Sequence, residues 1–594
     1  MRSAAFLLLL TLLSIFASSP AYAIDAVEIH GAVAGIVNGQ SNLADNSFTW
    51  GPQNFAGFYF DLDKDLSTES LQLNLSNKNV ETGAIEYKTY PEPTKFEHDI
   101  WGNYLVLCFL GQKYFAGYPD NCLIAKAWNS LENGKILSQV LIDTDETKTI
   151  ANDEALPLKE GYSLKLSDAV EGVKLSLYRG NNVVDSKVMT PPVDYVYSAS
   201  VGNENVTLLA VCIKANVKAE PKSYYTIKGL FQISEKPTTF DLGAEYGIMK
   251  VVSSDGNGLV LKNIEDFDLS KEPDHELMDG FGLKSVNSAD SVFNTRLYLY
   301  KNASKNDSVI RGAVAGKVDG QSNLVDNSFA WNPQIFAGFY YDMKNDIGDE
   351  NLKFVLSENN RLSGDSPYGI TYTTVSQNKK FEYEDWGHYN IIGFLGKSFF
   401  VNYVNDSPLQ HAQKDANLLS NSQLGRVLID SGERQKIQDG GTLSLEDGFE
   451  AKFYIDKSCN KTLVELYRNS TFVDRNYLSV PGTYLYRKSL ADVDDIAELA
   501  LHVAETNCTQ GKSCIVDGVF QISEYLINVN PNTIFDKMTI RTIDANAGTI
   551  TMDNKDNSIT LSKNLDIPLM GDFRIKTANS DELRFCIYRS FESW

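Results

Sequence analysis

The 594-residue chain carries 54 Lys and Arg against 77 Asp and Glu, and removing a 23-residue leader whose one charge is Arg2 takes the mature chain to a net −24. That excess excludes nucleic acid as a partner, because phosphate recognition needs basic patches. With 43% hydrophobic residues, 30 Tyr and 30 Phe against 17 Pro, the chain is able to bury about four ordinary cores, and wholesale disorder is excluded.

Residues 1–23 place Arg2 before the apolar run Phe6 to Phe16 and end on Ala21-Tyr22-Ala23, the small-x-small pattern of signal peptidase. Export is expected, with Ala23 the last residue of the leader. No later stretch approaches 18 consecutive apolar residues, so no further membrane span is expected.

From residue 31 the chain begins to repeat itself. Gly31-Ala-Val-Ala-Gly35, Gly39-Gln-Ser-Asn-Leu43 and Phe55-Ala-Gly-Phe-Tyr59 return as Gly312 to Gly316, Gly320 to Leu324 and Phe336 to Tyr340, all 281 residues on. Trp101-Gly102 returns at Trp386, Val140-Leu-Ile-Asp143 at Val427, Leu177-Tyr-Arg179 at Leu466 and Phe231-Gln-Ile-Ser-Glu235 at Phe520. The offset drifts from 281 to 289, as small loop insertions require. Two copies are expected, residues 24–304 and 305–594.

Within each copy the apolar period is that of strands. Leu71 to Leu75, Ser163 to Leu166, Val173 to Leu177 and Leu443 to Leu445 alternate apolar with polar residues, and Gly, Asn and Asp clusters such as Asp255-Gly-Asn-Gly258 separate such runs. Ala491 to Ala504 has a helix-like pattern, but its counterpart Val206 to Ile213 favours strand, and both are read as strand. Alternation also predicts that Phe55, Gly57 and Tyr59 face one side of a strand and Ala56 and Phe58 the other. The fold class expected is all-β. A unit near 290 residues is large for one sandwich, so each copy is divided into two: roughly 24–137 and 138–304, then 305–424 and 425–594.

Seven cysteines are too few to frame a fold of this length, and an odd count leaves at least one unpaired within the chain. Cys508 and Cys514 bracket Thr-Gln-Gly-Lys-Ser, a turn composition, and form the candidate disulfide. The six histidines include no His-x-x-x-His pair, and neither a nucleophile elbow nor a phosphate loop occurs. His30 aligns with Arg311 and His98 with Tyr383, so no catalytic group recurs in both copies; no catalytic, cofactor or metal residue is assigned. Asp61-x-Asp63-x-Asp65 has the spacing of the first calcium-loop ligands, but the matching Asp342, Lys344 and Asp346 put an ammonium in the middle, and the loop Gly and late Glu are missing. These are read as solvated turn carboxylates, with weak divalent-cation binding left to the acidic surface as a whole. Eight Asn-x-Ser/Thr sequons mark candidate glycosylation at Asn74, Asn205, Asn302, Asn306, Asn405, Asn460, Asn469 and Asn507. Asn74 lies opposite Leu71, Leu73 and Leu75 on its strand, facing solvent.

The run Gly-Ala-Val-Ala-Gly, then Trp50 to Tyr59 and Trp331 to Tyr340, then Val-Leu-Ile-Asp and Gly-x-Phe-Gln-Ile-Ser-Glu, resembles the tandem-duplicated S-layer domain of Methanosarcina-type archaea. The likeness runs in order, twice over, through residues 28 to 590. It implies two β-sandwich subdomains per copy and assembly into a paracrystalline outer coat that acts as a molecular sieve. Relatives that anchor the coat typically continue into a Thr-rich tether and a C-terminal membrane helix. Here the second copy ends at Trp594, and a shortened form, or a paralogue released or held by neighbouring subunits that carry an anchor, is expected. The function expected is a secreted, glycosylated structural tile that self-associates into an acidic, porous lattice at the cell surface, without enzymatic turnover. The alternative is a secreted β-sandwich adhesin or carbohydrate binder that stacks sugars on tyrosine rings.

Overall fold

The computed structural model describes residues 26–590, apart from 38–39, 77–78, 203, 219–221, 272, 288–294, 305–308, 405–406, 411–416 and 510. The leader with Ala23, and the sequons Asn306 and Asn405, lie outside the described residues. Every sheet is antiparallel, and the five sheets of residues 26–304 recur in the same strand order in residues 309–590. The fold is all-β and duplicated. Ala491 to Ala504 falls mainly in the strand Val493–Asn507, as its counterpart falls in Glu204–Val217.

Each copy holds an outer sandwich interrupted by a second, nested unit. In copy one, one six-stranded sheet joins Ala26–His30 and Ala34–Val37 from the start of the copy to Thr295–Ser304 at its end. The facing sheet joins Ser47–Trp50, Glu69–Asn74 and Ile85–Thr89 to Gly258–Asn263 and Met249–Asp255. Between Thr89 and Gly258 the chain leaves to build a nine-stranded and a four-stranded sheet, from Glu92–Lys95 through Thr238–Thr239, around a core of its own. Copy two repeats the plan, with Gly369–Val375 pairing to Thr549–Asp553 across a nested unit from Gln377–Lys380 to Ile527–Asn528. The linear divisions expected near 137 and 424 therefore do not match the sheets. Residues 136 and 137 open the strand Ile136–Ala151, which pairs within the nine-stranded sheet of the nested unit while Leu137 packs into the outer core, and residues after 240 return to the outer sandwich. A linear cut assumes that neighbours in sequence share a core. Antiparallel sheets have no such requirement, because a strand pairs wherever its edge is free.

The repeated motifs are contacts of the outer core. Trp50 and Trp331 are fully buried, and each indole N–H donates to the carbonyl of Ala32 or Ala313 at 2.8 Å. Gly31 and Gly312 lie against those indoles, where a Cβ would stand 2.7 or 2.9 Å from the ring. Asn42 clamps the first motif to the second, accepting from Gly35 N at 2.8 Å and donating to Val33 O at 2.7 Å; Asn323 does the same for Gly316 and Val314 at 2.9 and 2.8 Å. Gly35 and Gly316 both sit at φ +110°, beside the carbonyls of Thr295 and Leu583, so neither conformation nor space admits a side chain.

Phe55 to Tyr59 is not a strand. The segment is a chain of turns that sends Phe55 and Phe58 into the same core, 1% and 2% exposed, with their rings edge to face at 4.8 Å; Phe336 and Phe339 do likewise at 4.9 Å. The three-residue spacing of the phenylalanines brings them together because the backbone turns between them.

Candidate functional site

The seam between the copies is built from two equivalent loops exchanged about a pseudo-twofold relation. Arg584, at the start of the strand Arg584–Ser590, donates from Nε to Leu62 O at 3.0 Å and from Nη2 to Asp63 O at 2.8 Å, with Nη1 3.9 Å from Asp65. Arg296 of copy one donates from Nε to Met343 O and from Nη2 to Lys344 O, both at 2.8 Å, with Nη1 3.7 Å from Asp346. Each guanidinium uses its planar fork to read two successive carbonyls and leaves its charge beside a carboxylate. Apolar plugs follow the same exchange. Leu62 enters a cluster of Val314, Val318, Ala578 and Cys586, and Met343 enters one of Val33, Tyr298 and Tyr300.

Unlike parts also lock the seam. Arg311 donates to Pro52 O at 2.7 Å and lies over the Phe60 ring at 5.1 Å, and Val314 N donates to Gln53 Oε1 at 3.0 Å. His30, at the equivalent place in copy one, packs on Tyr298 at 5.1 Å, and burial holds its pKa below the usual range.

The acidic triplet of copy one is part of this seam. Asp61 Oδ1 accepts from the backbone of Asp63 and Lys64 at 3.1 Å. Asp63 instead accepts from Asn579 N at 2.7 Å and Asp65 from Asp319 N at 2.9 Å, both in copy two. The three carboxylates diverge, and two of them bind the other copy; reading them as simply solvated overlooked that contact. An ammonium already occupies the neighbouring acidic niche. Lys64 lies 2.8 Å from Glu97 and 3.5 Å from Asp143. In copy two the cation comes from another strand, Lys379 lying 2.9 Å from Asp342 and 3.3 Å from Asp430.

A buried carboxylate joins outer sandwich to nested unit in each copy. Glu69 accepts from Tyr59 N and Gly111 N at 2.9 Å and from Tyr87 Oη at 2.8 Å; Glu350 accepts from Tyr340 N, Gly396 N and Tyr372 Oη at 2.7 to 2.9 Å. Burial raises both pKa values, Glu350 to about 7, against those hydrogen bonds.

The candidate disulfide Cys508–Cys514 is corrected: Cys508 bonds Cys459, with Cα atoms 6.3 Å apart. Cys514 is 1% exposed and faces the nested core of copy two as a free thiol. It lies opposite Thr506 in the ladder, whereas Cys508 follows the strand end and meets the turn after Phe449–Ile455, where Thr506 Oγ1 also donates to Cys459 O. Of the sequons, Asn74, Asn205, Asn302, Asn460, Asn469 and Asn507 are all exposed. Asn469 occupies the hairpin between Lys461–Arg468 and Thr471–Ser479, at φ +47°. Asn507 Oδ1 accepts from Thr509 N and Oγ1 at 2.8 Å, beside the bonded Cys508.

Sequence reasoning missed Arg296, Arg584 and Cys459. The arginines had a signal, since Thr295-Arg-Leu and Leu583-Arg-Phe lie 288 residues apart at the close of each copy. Cys459 had none, being 49 residues from its partner.

A duplicated all-β chain with exposed sequons and a seam that holds its halves as one body defines a class of extracellular structural repeat protein. The S-layer protein family model matches residues 39–287 and 320–579, and the chain belongs to that family, whose members are structural components of the cell surface. Among curated proteins it is similar to the major S-layer protein of Methanosarcina acetivorans, 26% identical over 629 residues that cover 98% of this chain and 86% of the relative. The major S-layer protein of Methanosarcina mazei is 25% identical, covering 97% and 85%, and that of Methanosarcina barkeri 26% identical, covering 83% and 72%. Among the described residues no helix is long and apolar enough to cross a membrane.

Proposed function

We propose that this chain is one tile of a self-associated surface lattice, and that it acts by assembly without turnover. The observation that carries the reading is the seam: reciprocal arginine clamps and apolar plugs join the two copies, so the chain offers two equivalent sets of edges on one body. Repeated edges are what a periodic sheet needs in order to propagate. The acidic excess serves the outer face and the pores, repelling anions over a Debye length of about 8 Å at physiological salt. Glycans on the exposed sequons cover faces that do not enter lateral contacts. Neighbouring subunits that carry a membrane anchor hold the tile to the cell.

Lateral association at net charge −24 works against self-repulsion, so calcium or added salt strengthens it. Light scattering and electron microscopy of the mature protein across a calcium and salt series test this. Two-dimensional arrays that grow with either additive are expected. Monomers under every condition, with isolated envelopes supplied as template as well, would overturn the proposal; glycan binding by such monomers would favour the adhesin reading.

A further inference from the structure

The nested unit of copy one brings together an imidazole, a thiol and a carboxylate that the seam and the disulfide do not use. His98 lies in the turn ahead of Asp99–Trp101, while Asp194 and Cys212 face each other across the strands Val193–Val201 and Glu204–Val217. One ligand atom of each residue lies within 4.8 Å of the other two, and among the described residues no other trio of His, Cys, Asp or Glu converges in this way.

His98 is held as a metal ligand is held. The side chain is 3% exposed, and its Nδ1 is 2.6 Å from Asp145 Oδ1, a carboxylate itself 3.1 Å from Lys228 Nζ. The ring stands edge to face with Trp101 at 4.8 Å and lies over Gly229, at φ +86°, where a Cβ would be 2.6 Å from it. With Asp145 accepting the Nδ1 proton, Nε2 of the neutral ring presents a lone pair. That atom is buried and has no hydrogen-bond partner in the structure. Leaving it so incurs its full desolvation cost, which a ligand on Nε2 would remove.

Copy two gives the contrast. Tyr383, Thr483 and His502 stand at the places of His98, Asp194 and Cys212, with Thr483 and His502 in the same cross-strand register. There the groups satisfy one another: Tyr383 Oη is 3.2 Å from His502 Nε2, His502 Nδ1 is 2.6 Å from Asp517, and the two rings stack at 4.4 Å. Copy one keeps the backbone and replaces the self-satisfied pair with three ligating atoms.

We infer that His98 Nε2, Cys212 Sγ and Asp194 bind a divalent zinc-class ion, with Asp145 as the positioning residue for His98. A nitrogen, sulfur and oxygen set excludes calcium and magnesium, which take oxygen ligands, and suits zinc. Tetrahedral ligands at 2.0 to 2.3 Å from zinc stand about 3.5 Å apart, so small side-chain rotations close the site. Asp194 is exposed and gives the ion its way in, and the fourth position is left to water. Binding converts the Cys212 thiol to a zinc thiolate and releases its proton to solvent. No local spacing in the sequence announces this trio, because its members come from three separated segments.

The test is titration of the chelator-treated mature protein with Co²⁺ and then Zn²⁺. One equivalent of Co²⁺ with a tetrahedral visible spectrum and a thiolate charge-transfer band is expected, displaced by Zn²⁺, together with a zinc-dependent rise in melting temperature. Cys212→Ser abolishes the charge-transfer band and the stoichiometric binding. Asp145→Asn weakens affinity about 10- to 100-fold with the ligands still in place. The combined His98→Tyr, Asp194→Thr, Cys212→His and Lys228→Asp variant carries copy two's side chains at these four positions, so it folds and loses the ion. Absence of stoichiometric binding by the folded protein, or a Cys212→Ser variant that binds as the parent does, would overturn the inference.

Discussion

Copy one and copy two share one backbone plan and solve the same local problems with different side chains. In both, a glycine makes room for a tryptophan, an asparagine clamps the neighbouring strand, and an arginine clasps the other copy's loop. Where the copies differ, the chemistry moves while the requirement stays. The ammonium beside Asp143 comes from the adjacent loop as Lys64, whereas that beside Asp430 comes from a sheet edge as Lys379. Copy two fastens a hairpin with Cys459–Cys508, which copy one lacks. Copy one packs Leu208 at a bulge where copy two places Glu498. The shared features are therefore conditions of the sandwich, and the differing ones are separately replaceable.

The strongest way to break the equivalence is in the outer cores. Phe58→Ala and Phe339→Ala each remove a ring that is at most 3% exposed, and each is expected to lower stability by about 3 to 5 kcal/mol. Urea midpoints that stay in place for both would refute the common-core reading, and a shift in one alone would show that the copies are packed differently.

Next comes the disulfide. Closing a 49-residue interval restricts the unfolded chain by about 4 kcal/mol in the loop-entropy description, so Cys508→Ser is expected to cost about 2 to 4 kcal/mol. Cys514→Ser leaves the bond in place, and mass spectrometry of peptides after alkylation distinguishes the two pairings.

The smallest effect has the opposite sign. Glu498 is 1% exposed with no hydrogen-bond partner for either carboxylate oxygen, and burial, with Glu524 and Asp447 adding to it against Lys488 and Arg468, raises it to about 7. A carboxyl group with a folded-state pKa above its unfolded value contributes stability at low pH, and that contribution is lost as pH rises from about 4.5 through 7. Glu498→Leu, which gives copy two the residue of copy one, is expected to stabilise by about 1 to 3 kcal/mol at pH 8 and by less at pH 5. Equal melting shifts at the two pH values would show that the carboxyl does not titrate in this range.

The duplication and the all-β class were legible because the repeated motifs are contacts, Trp50 with Gly31 and Asn42 with Gly35, and both partners recur. The nested topology was not, since alternation identifies strands and says nothing about which distant strand supplies the next edge. Phe55 and Phe58 were assigned to opposite faces because period two was applied to a segment whose backbone turns. Cys459 and the trio His98, Asp194 and Cys212 escaped for one reason, that side chains far apart in sequence leave no spacing to read.

The nested insertion also sets a timetable. Thr89 pairs with Leu259, 170 residues later, so the strand Ile85–Thr89 has no partner on that edge until the whole nested unit has been made. At the usual 5 to 20 residues per second of synthesis this wait is about 10 to 30 s, longer than the time in which a compact β-domain forms once its strands are present. The nested unit, contiguous in sequence, therefore completes first, and the outer sandwich closes behind it. Of the two exchanged loops, the one at Leu62 comes last, because it cannot be clasped until Arg584, almost the end of the chain, has emerged, whereas Arg296 meets its loop once Met343 and Lys344 are made.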